Sequence, residues 1–336
     1  MRAQTPQTVM SAGGLLAPVR RDGARKPSSS GDGYAESPSA SSVSTLTAPE
    51  RFLQSGRYEI RREWLRYEGT PQRDLLRRVR EIFLARAMAR APPGSVARVE
   101  VGPGPGRFTP LISRPSGRLV LVDVSRGMLK EALRRLQGSH VRSGPVDIVV
   151  ADAGWFPIRK SSAGVVVALG NVVGFAGGSA FQVLDELAGA VCPGGVLVVE
   201  TVDPVVRVPN FVDSASPSAW SRMIDEDPAA ALPRLLGQGF HPVSVRTGSA
   251  EDPSQFRFVS PIRIASSLAR AGFRVEDQLV AAPFTGGNPE LVEGIARGGR
   301  GAMEKLLRWE NYGGRLRQLL DSGGHALTCA VRPSSE

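Results

Sequence analysis

The chain is predicted to fold as a doubly wound α/β domain, a mostly parallel sheet covered by helices on both faces, and three observations predict it. First, the stretch Arg98 to Arg107, RVEVGPGPGR, is an apolar strand running into a turn with glycines at 102, 104 and 106. Second, RLVLVDVSRGMLKEALRRLQG follows, a strand ending at Asp123 and then an amphipathic helix. Third, the alternation continues through VDIVVADAGWFP, VVVALGN and VCPGGVLVVE. Strands that alternate with helices form parallel sheets with both faces buried, which is why the strands are apolar throughout.

Taken in order, residues 1 to 50 are rich in Ser, Gly, Pro and Ala without apolar periodicity, and are expected to be a disordered tail. VMSAGGLLAPVRR within it has only a faint secretory character, since its basic residues follow the apolar part, and it is taken as a leader in a cytoplasmic protein. Residues 51–92 form a helical N-terminal cap. It starts around Ile60, Trp64 and Tyr67 and resumes with Thr70 as N-cap and Pro71 as first helical residue. Leu75, Leu76, Val79, Ile82 and Phe83 are its predicted inner face and the arginines its outer one.

Residues 93–203 form the nucleotide-binding core. Its second helix has Ser125 as N-cap, Gly138 as stop, and Met128, Leu129, Ala132, Leu133 and Leu136 as apolar stripe. At 204–260 the alternation breaks, with scattered prolines and Trp220, Phe240 and His241, and an inserted lid or substrate region is expected. Residues 261–336 complete the sheet, interrupted by an insertion at 286–324 that includes a helix near Met303 to Trp309.

A strand, a glycine turn and an acid about 20 residues further on describe a unit that binds a nucleoside, the carboxylate of Asp123 accepting the ribose hydroxyls. Which nucleoside follows from the loop. A dinucleotide pyrophosphate needs backbone N–H donors and GxGxxG spacing. Here the third glycine comes one position early, Arg107 stands in its place, and Pro103 and Pro105 remove two donors. Such a loop disfavours a dehydrogenase and suits an adenosyl group without a phosphate tail.

On these residues the chain resembles the class I S-adenosylmethionine-dependent methyltransferases, over Ser95 to Asp203 and Pro261 to Pro333. Glu100 to Gly106 is similar to the family's first motif, Asp123 to its ribose acid and Asp152 to its adenine-contacting acid. VCPGGVLVVE is similar to its turn into strand five. LARAGFRVEDQLVAAP and GHALTCAVRP are similar to its sixth and seventh strands. The resemblance implies a Rossmann-like sheet of seven strands and S-adenosyl-L-methionine as cofactor. The implied cofactor site is Glu100, Gly102, Gly104, Gly106, Asp123, Val124, Met128, Asp152, Ala153 and Leu169. Two departures stand out: Ala163 and Gly164 replace a frequent Phe-Asp pair, and the run after strand four is GNVVGF. Glu100 in place of Asp resembles the adenine dimethyltransferases of ribosomal RNA, whose Asn-Leu-Pro-Tyr run the chain lacks.

Methyl transfer from a sulfonium is an in-line displacement that chiefly needs a held nucleophile and excluded water. No dedicated base stands out. Asn171 after strand four, His241 in the insertion, and Glu200 or Asp203 at the end of strand five are the candidates; His140 and His325 are taken as structural. Trp155, Phe156 and Phe175 are equally suited to an aromatic wall and to the core. Three scattered histidines do not suggest a metal site, and Cys192 and Cys329 suggest small core residues rather than a disulfide framework. No apolar run reaches the length of a membrane span.

The net charge of +10 invites a nucleic-acid partner. Only four lysines are present, however, at 26, 130, 160 and 305, so the charge comes from arginine abundance of the kind a GC-rich genome produces. An RNA contact would lie between Arg51 and Arg90, with eleven arginines against five acids. The expected function is methyl transfer to a small molecule. An RNA methyltransferase and a non-catalytic cofactor-binding regulator are the alternatives.

Overall fold

A computed structural model describes residues 68–93, 97–176, 179–203, 205–209, 220–221, 223–237, 242–246, 259–285, 288–320 and 324–334. The expected tail, the first part of the cap with Trp64 and Tyr67, His241 and much of the expected lid lie outside these residues.

Seven strands make one sheet: β1 (Ala97–Val101), β2 (Leu119–Asp123), β3 (Val146–Val150), β4 (Ala163–Ala168), β5 (Val191–Asp203), β8 (Arg274–Ala281) and β9 (Gly324–Val331). Their order is β3-β2-β1-β4-β5-β9-β8. The first five are parallel, while β9 runs antiparallel between β5 and β8. The chain therefore reverses direction outward from β1, and the crevice at such a switch point, beyond the carboxyl ends of the strands, is where ligands bind in open α/β sheets.

Both sheet faces are buried, and β5 shows how. Val196 and Val198 project into one apolar cluster with helix α1 (Pro71–Met88) and helix α3 (Arg126–Gln137). Leu197 and Val199 project into the other, with α5 (Ala180–Ala190) and α7 (Pro261–Arg270). Period-two alternation thus feeds both layers.

Helix α1 starts as expected, Thr70 accepting from the Arg73 N–H with Pro71 in the first turn. Its buried face is rotated from the predicted one: Leu84, Ala87 and Arg80 turn inward with Leu75, Val79 and Phe83, whereas Ile82 is exposed. On this face Arg80 reaches Glu200, which continues the Val196 and Val198 side of β5. Helix α3 has its expected caps; Met128, Leu129, Ala132 and Leu136 are buried and Leu133 half-buried.

The insertion at 204–260 contains an antiparallel pair, β6 (Val205–Pro209) with β7 (Pro242–Arg246), and helix α6 (Pro228–Gly237). Trp220, Met223, Ile224, Ala231 and Leu232 of this stretch are packed into the main core. Trp220 meets Phe284 at 6.0 Å, and Phe284 meets Trp309 edge-on at 6.2 Å. The second insertion carries α8 (Pro289–Ala296) and α9 (Gly299–Gly313), a longer helix than the Met303 to Trp309 stretch expected. No helix among the described residues is long and apolar enough to cross a membrane.

Candidate active site

A cleft opens at the carboxyl ends of β1, β2, β3 and β4, with about 1060 Å³ of space including the solvent at its mouth. Of the ten expected cofactor residues, Glu100, Gly102, Gly104, Asp123, Val124, Asp152, Ala153 and Leu169 line it. Gly106 and Met128 do not, and the geometry says why.

The three glycines of the loop all have positive φ, at 63°, 54° and 84°, a conformation costly for other residues. Their surroundings differ. A Cβ on Gly106 would lie 2.6 Å from Ala132 Cα, so this glycine lets helix α3 pack against the loop. A Cβ on Gly102 would strike the Val172 side chain, while one on Gly104 would meet nothing within 4 Å. Gly104 is the glycine whose missing side chain leaves room for a ligand. Met128 is fully buried and belongs to the apolar stripe of α3.

Three acids face the cleft with different assignments. The Asp123 carboxylate accepts from the Gly104 N–H at 3.3 Å and the Ser125 N–H at 2.8 Å, which ties the end of β2 to the glycine loop. Asp152 caps the turn Ala153–Trp155 by accepting from the Gly154 N–H at 2.8 Å. Glu100 is buried and accepts from the Thr109 hydroxyl at 2.6 Å. Burial pushes its carboxyl up to about 7; the Thr109 bond opposes this, and the charge of Asp123 adds to it.

Sequence inspection missed several other walls of the cleft: Arg107, Phe108, Gly170, Val172 and Ala176. Phe108 follows the glycine loop directly, a position that hinted at it. Arg107 is held at 2.9 Å by Glu68, which precedes it by 39 residues, so no local pattern pointed to that pair. Among the aromatic candidates Phe175 lines the cleft, Phe156 is core and Trp155 is exposed to solvent.

The weak catalytic candidates separate clearly. Asn171 lies between two lining residues, Gly170 and Val172, in a left-handed conformation at φ 64°. It is buried; its Oδ1 accepts from the Val202 N–H at 3.3 Å, and its Nδ2 has no hydrogen-bond partner among the described residues. Glu200 is fully buried and cannot itself meet a substrate. Arg80 Nη2 donates to its Oε1 at 2.7 Å, His325 Nδ1 lies 2.7 Å from the same oxygen, and the Gly170 N–H donates to Oε2 at 3.0 Å. Burial alone would raise this carboxyl, but Arg80 and His325 outweigh it and hold the group well below the usual carboxylate range. The side chain of Asp203 and all of His241 are outside the described residues.

Residues 99–199, from β1 into β5, match the family model of the methyltransferase domain. The chain carries a methyltransferase domain. The methyl donor of such a domain is S-adenosylmethionine, so the chain carries the domain of an S-adenosylmethionine-dependent methyltransferase. No curated protein matches the sequence. Among solved structures, it is similar to magnesium protoporphyrin IX methyltransferase from Synechocystis PCC 6803 at 13% identity, covering 84% of this chain and 97% of that one, TM-score 0.47. A geranyl diphosphate C-methyltransferase from Streptomyces coelicolor A3(2) is similar at 14% identity over 76% and 81% of the two chains, TM-score 0.44. The [4+2]-cyclase SpnF is similar at 18% identity over 76% and 81%, TM-score 0.44.

The cleft of this methyltransferase suits an adenosyl sulfonium. Pro103 and Pro105 withhold N–H groups that a pyrophosphate would need, the space above Gly104 is open, and Glu100 offers a buried carboxyl to a cationic ligand. The match to the family model ends at residue 199, so Glu200, β8, β9 and both insertions lie outside it.

Proposed function

We propose that this methyltransferase transfers its methyl group to a small molecule. One observation carries the proposal: the cleft that Glu100 and Asp123 line is also walled by Phe108, Val172 and Phe175. Such a wall excludes water and grips an apolar body.

The roles follow from the lining. The bound cofactor supplies an electrophilic methyl group on a positively charged sulfur. Asp123 accepts the ribose hydroxyls, and Asp152 meets the adenine edge beside Val124, Ala153 and Leu169. Gly104 lets the chain pass close beneath the sugar. Asn171, buried between the lining residues Gly170 and Val172, holds that part of the wall through its bond from the Val202 N–H.

An RNA acceptor draws less support. Within and just after α1, Arg77, Arg78, Arg80, Arg86 and Arg90 are all ion-paired to acids of this same chain.

Titration calorimetry of Asp123→Ala with S-adenosylmethionine should show a loss of about 1.5 to 3 kcal/mol, one to two decades in Kd. Unchanged affinity would remove Asp123 from the site. Incubation of the full chain with methyl-labelled cofactor and cell extract should place the label in the low-molecular-weight fraction. Label in a ribonuclease-sensitive fraction would reverse the choice of acceptor.

A further inference from the structure

Among the described residues that line the cleft, Arg107 is the one with a cationic side chain, beside the acids Glu100, Asp123 and Asp152. Its place along the loop is fixed from both sides. Three residues before it the Gly104 N–H reaches Asp123, and two residues after it the Thr109 hydroxyl reaches Glu100. Along the chain Arg107 thus stands between the acid assigned to the sugar and the buried carboxyl. Its Nη1 donates to Glu68 at 2.9 Å. The two partners are unequally covered: 8% of the Arg107 side chain is exposed, against 44% of Glu68.

We propose that Arg107 takes the carboxylate of the cofactor's methionyl group, and that Glu68 holds the guanidinium until the cofactor displaces it. The inference rests on the cofactor of the methyltransferase domain and not on the choice of acceptor.

Charge complementarity carries it. S-adenosylmethionine ends in an ammonium and a carboxylate attached to one carbon. The acids of the cleft suit the ammonium and the sulfonium, and each of them in its ionised form repels a further anion. A carboxylate that leaves water for such a cleft gives up hydration and meets repulsion, so it needs a cation. Arg107 is the cation that the lining offers, and its planar fork matches the two oxygens of a carboxylate. Glu100 and Arg107 then receive the two charges of the same amino-acid end, ammonium and carboxylate respectively.

The exchange follows from the unequal burial. A buried guanidinium that loses its anion is left uncompensated, whereas a carboxylate that is nearly half exposed returns to water readily. One carboxylate replaces another, and the number of ion pairs at Arg107 stays the same. Glu68 stands two residues before Thr70, the N-cap of α1, so the pair that the cofactor breaks is one that ties the start of the cap to the glycine loop.

The test is calorimetry on the full chain, without acceptor, using S-adenosylhomocysteine and its decarboxylated analogue, which keeps the ammonium, the sulfur and the nucleoside. Wild type should bind the carboxylated ligand about 10- to 100-fold more tightly. Arg107→Gln should lose or reverse that preference, with Kd for the decarboxylated analogue within about 3-fold of wild type. Glu68→Gln should tighten S-adenosylhomocysteine by about 2- to 5-fold and leave the decarboxylated analogue unchanged, because the internal competitor is gone. A wild type that does not distinguish the two ligands overturns the inference, as does a preference that survives in Arg107→Gln. Equal effects of Glu68→Gln on both ligands, or none on either, overturn the exchange. If thermal unfolding shows that Arg107→Gln does not fold, Arg107→Lys takes its place; a reduced preference in the same direction supports the inference and an undiminished one overturns it. An effect of Arg107→Gln that emerges only with an anionic acceptor present assigns the guanidinium to the acceptor and overturns the inference too. A wild-type chain that binds neither ligand overturns the cofactor site itself, and the inference with it.

Discussion

Glu100 keeps a proton that an exposed carboxyl would have lost by neutral pH, because it sits buried beside the charge of Asp123 with one hydroxyl donor. A cationic ligand entering the cleft that Glu100 lines reverses this balance, favouring the ionised form. The folded apo value is about 7 and the bound value lower, so binding releases a proton below that pH and affinity rises as pH increases toward 7. Calorimetry in two buffers of different ionisation enthalpy should detect the released proton near pH 6, and Glu100→Gln should abolish both the release and the pH dependence. The same residue illustrates what local reading offers and withholds. Its place in strand and motif was evident from the sequence. Its protonation was not, since that depends on Thr109 and on the depth of the cleft.

The glycine loop between β1 and α3 divides its work between fold and ligand. Gly106 accommodates helix α3 at van der Waals distance with φ 84°, and Gly104 faces open space with φ 54°. Gly106→Ala should therefore cost stability beyond the about 1 to 3 kcal/mol of a strained left-handed residue, because a backbone contact must also give way. Gly104→Ala should carry the conformational cost alone and lower cofactor affinity in addition. Thermal or denaturant unfolding with and without cofactor separates the two; equal stability loss with no change in affinity at Gly104 would contradict the assignment. The loop was recognisable in the sequence as a set of three glycines. Their separate tasks were not, because Ala132, 26 residues later, determines which one must stay bare.

Across the molecule, a net charge of +10 coexists with a helix α1 whose cations face acids of the same chain. Arg78 pairs with Glu304 on α9, Arg86 with Asp277 on β8, and Arg80 with Glu200 on β5. These pairs stitch the cap to the sheet and to the second insertion. Exposed pairs contribute little, about 1 kcal/mol or less each, but a cation already matched to an acid has less to give a phosphate backbone. A gel-shift titration with structured RNA at physiological salt should give no complex whose salt slope falls on Arg77→Gln or Arg78→Gln; a slope that falls by about one per arginine removed would restore an RNA partner.

The sequence by itself determined the architecture: apolar strands of period two, capped helices and a proline-bearing glycine turn are local signals, each carried by a few neighbouring residues, and together they named the sheet and its nucleoside site. Tertiary structure decided what depends on long separations. It turned Arg80, a cation on the face of Phe83, Leu84 and Ala87, inward to meet Glu200, 120 residues away. It buried Glu200 away from the cleft and set it 2.7 Å from His325, read from the sequence as structural and 125 residues further on. Helix and strand periods report which face a residue takes. They carry no information about which charge will meet it there, and the chemistry of this corner is made of such meetings.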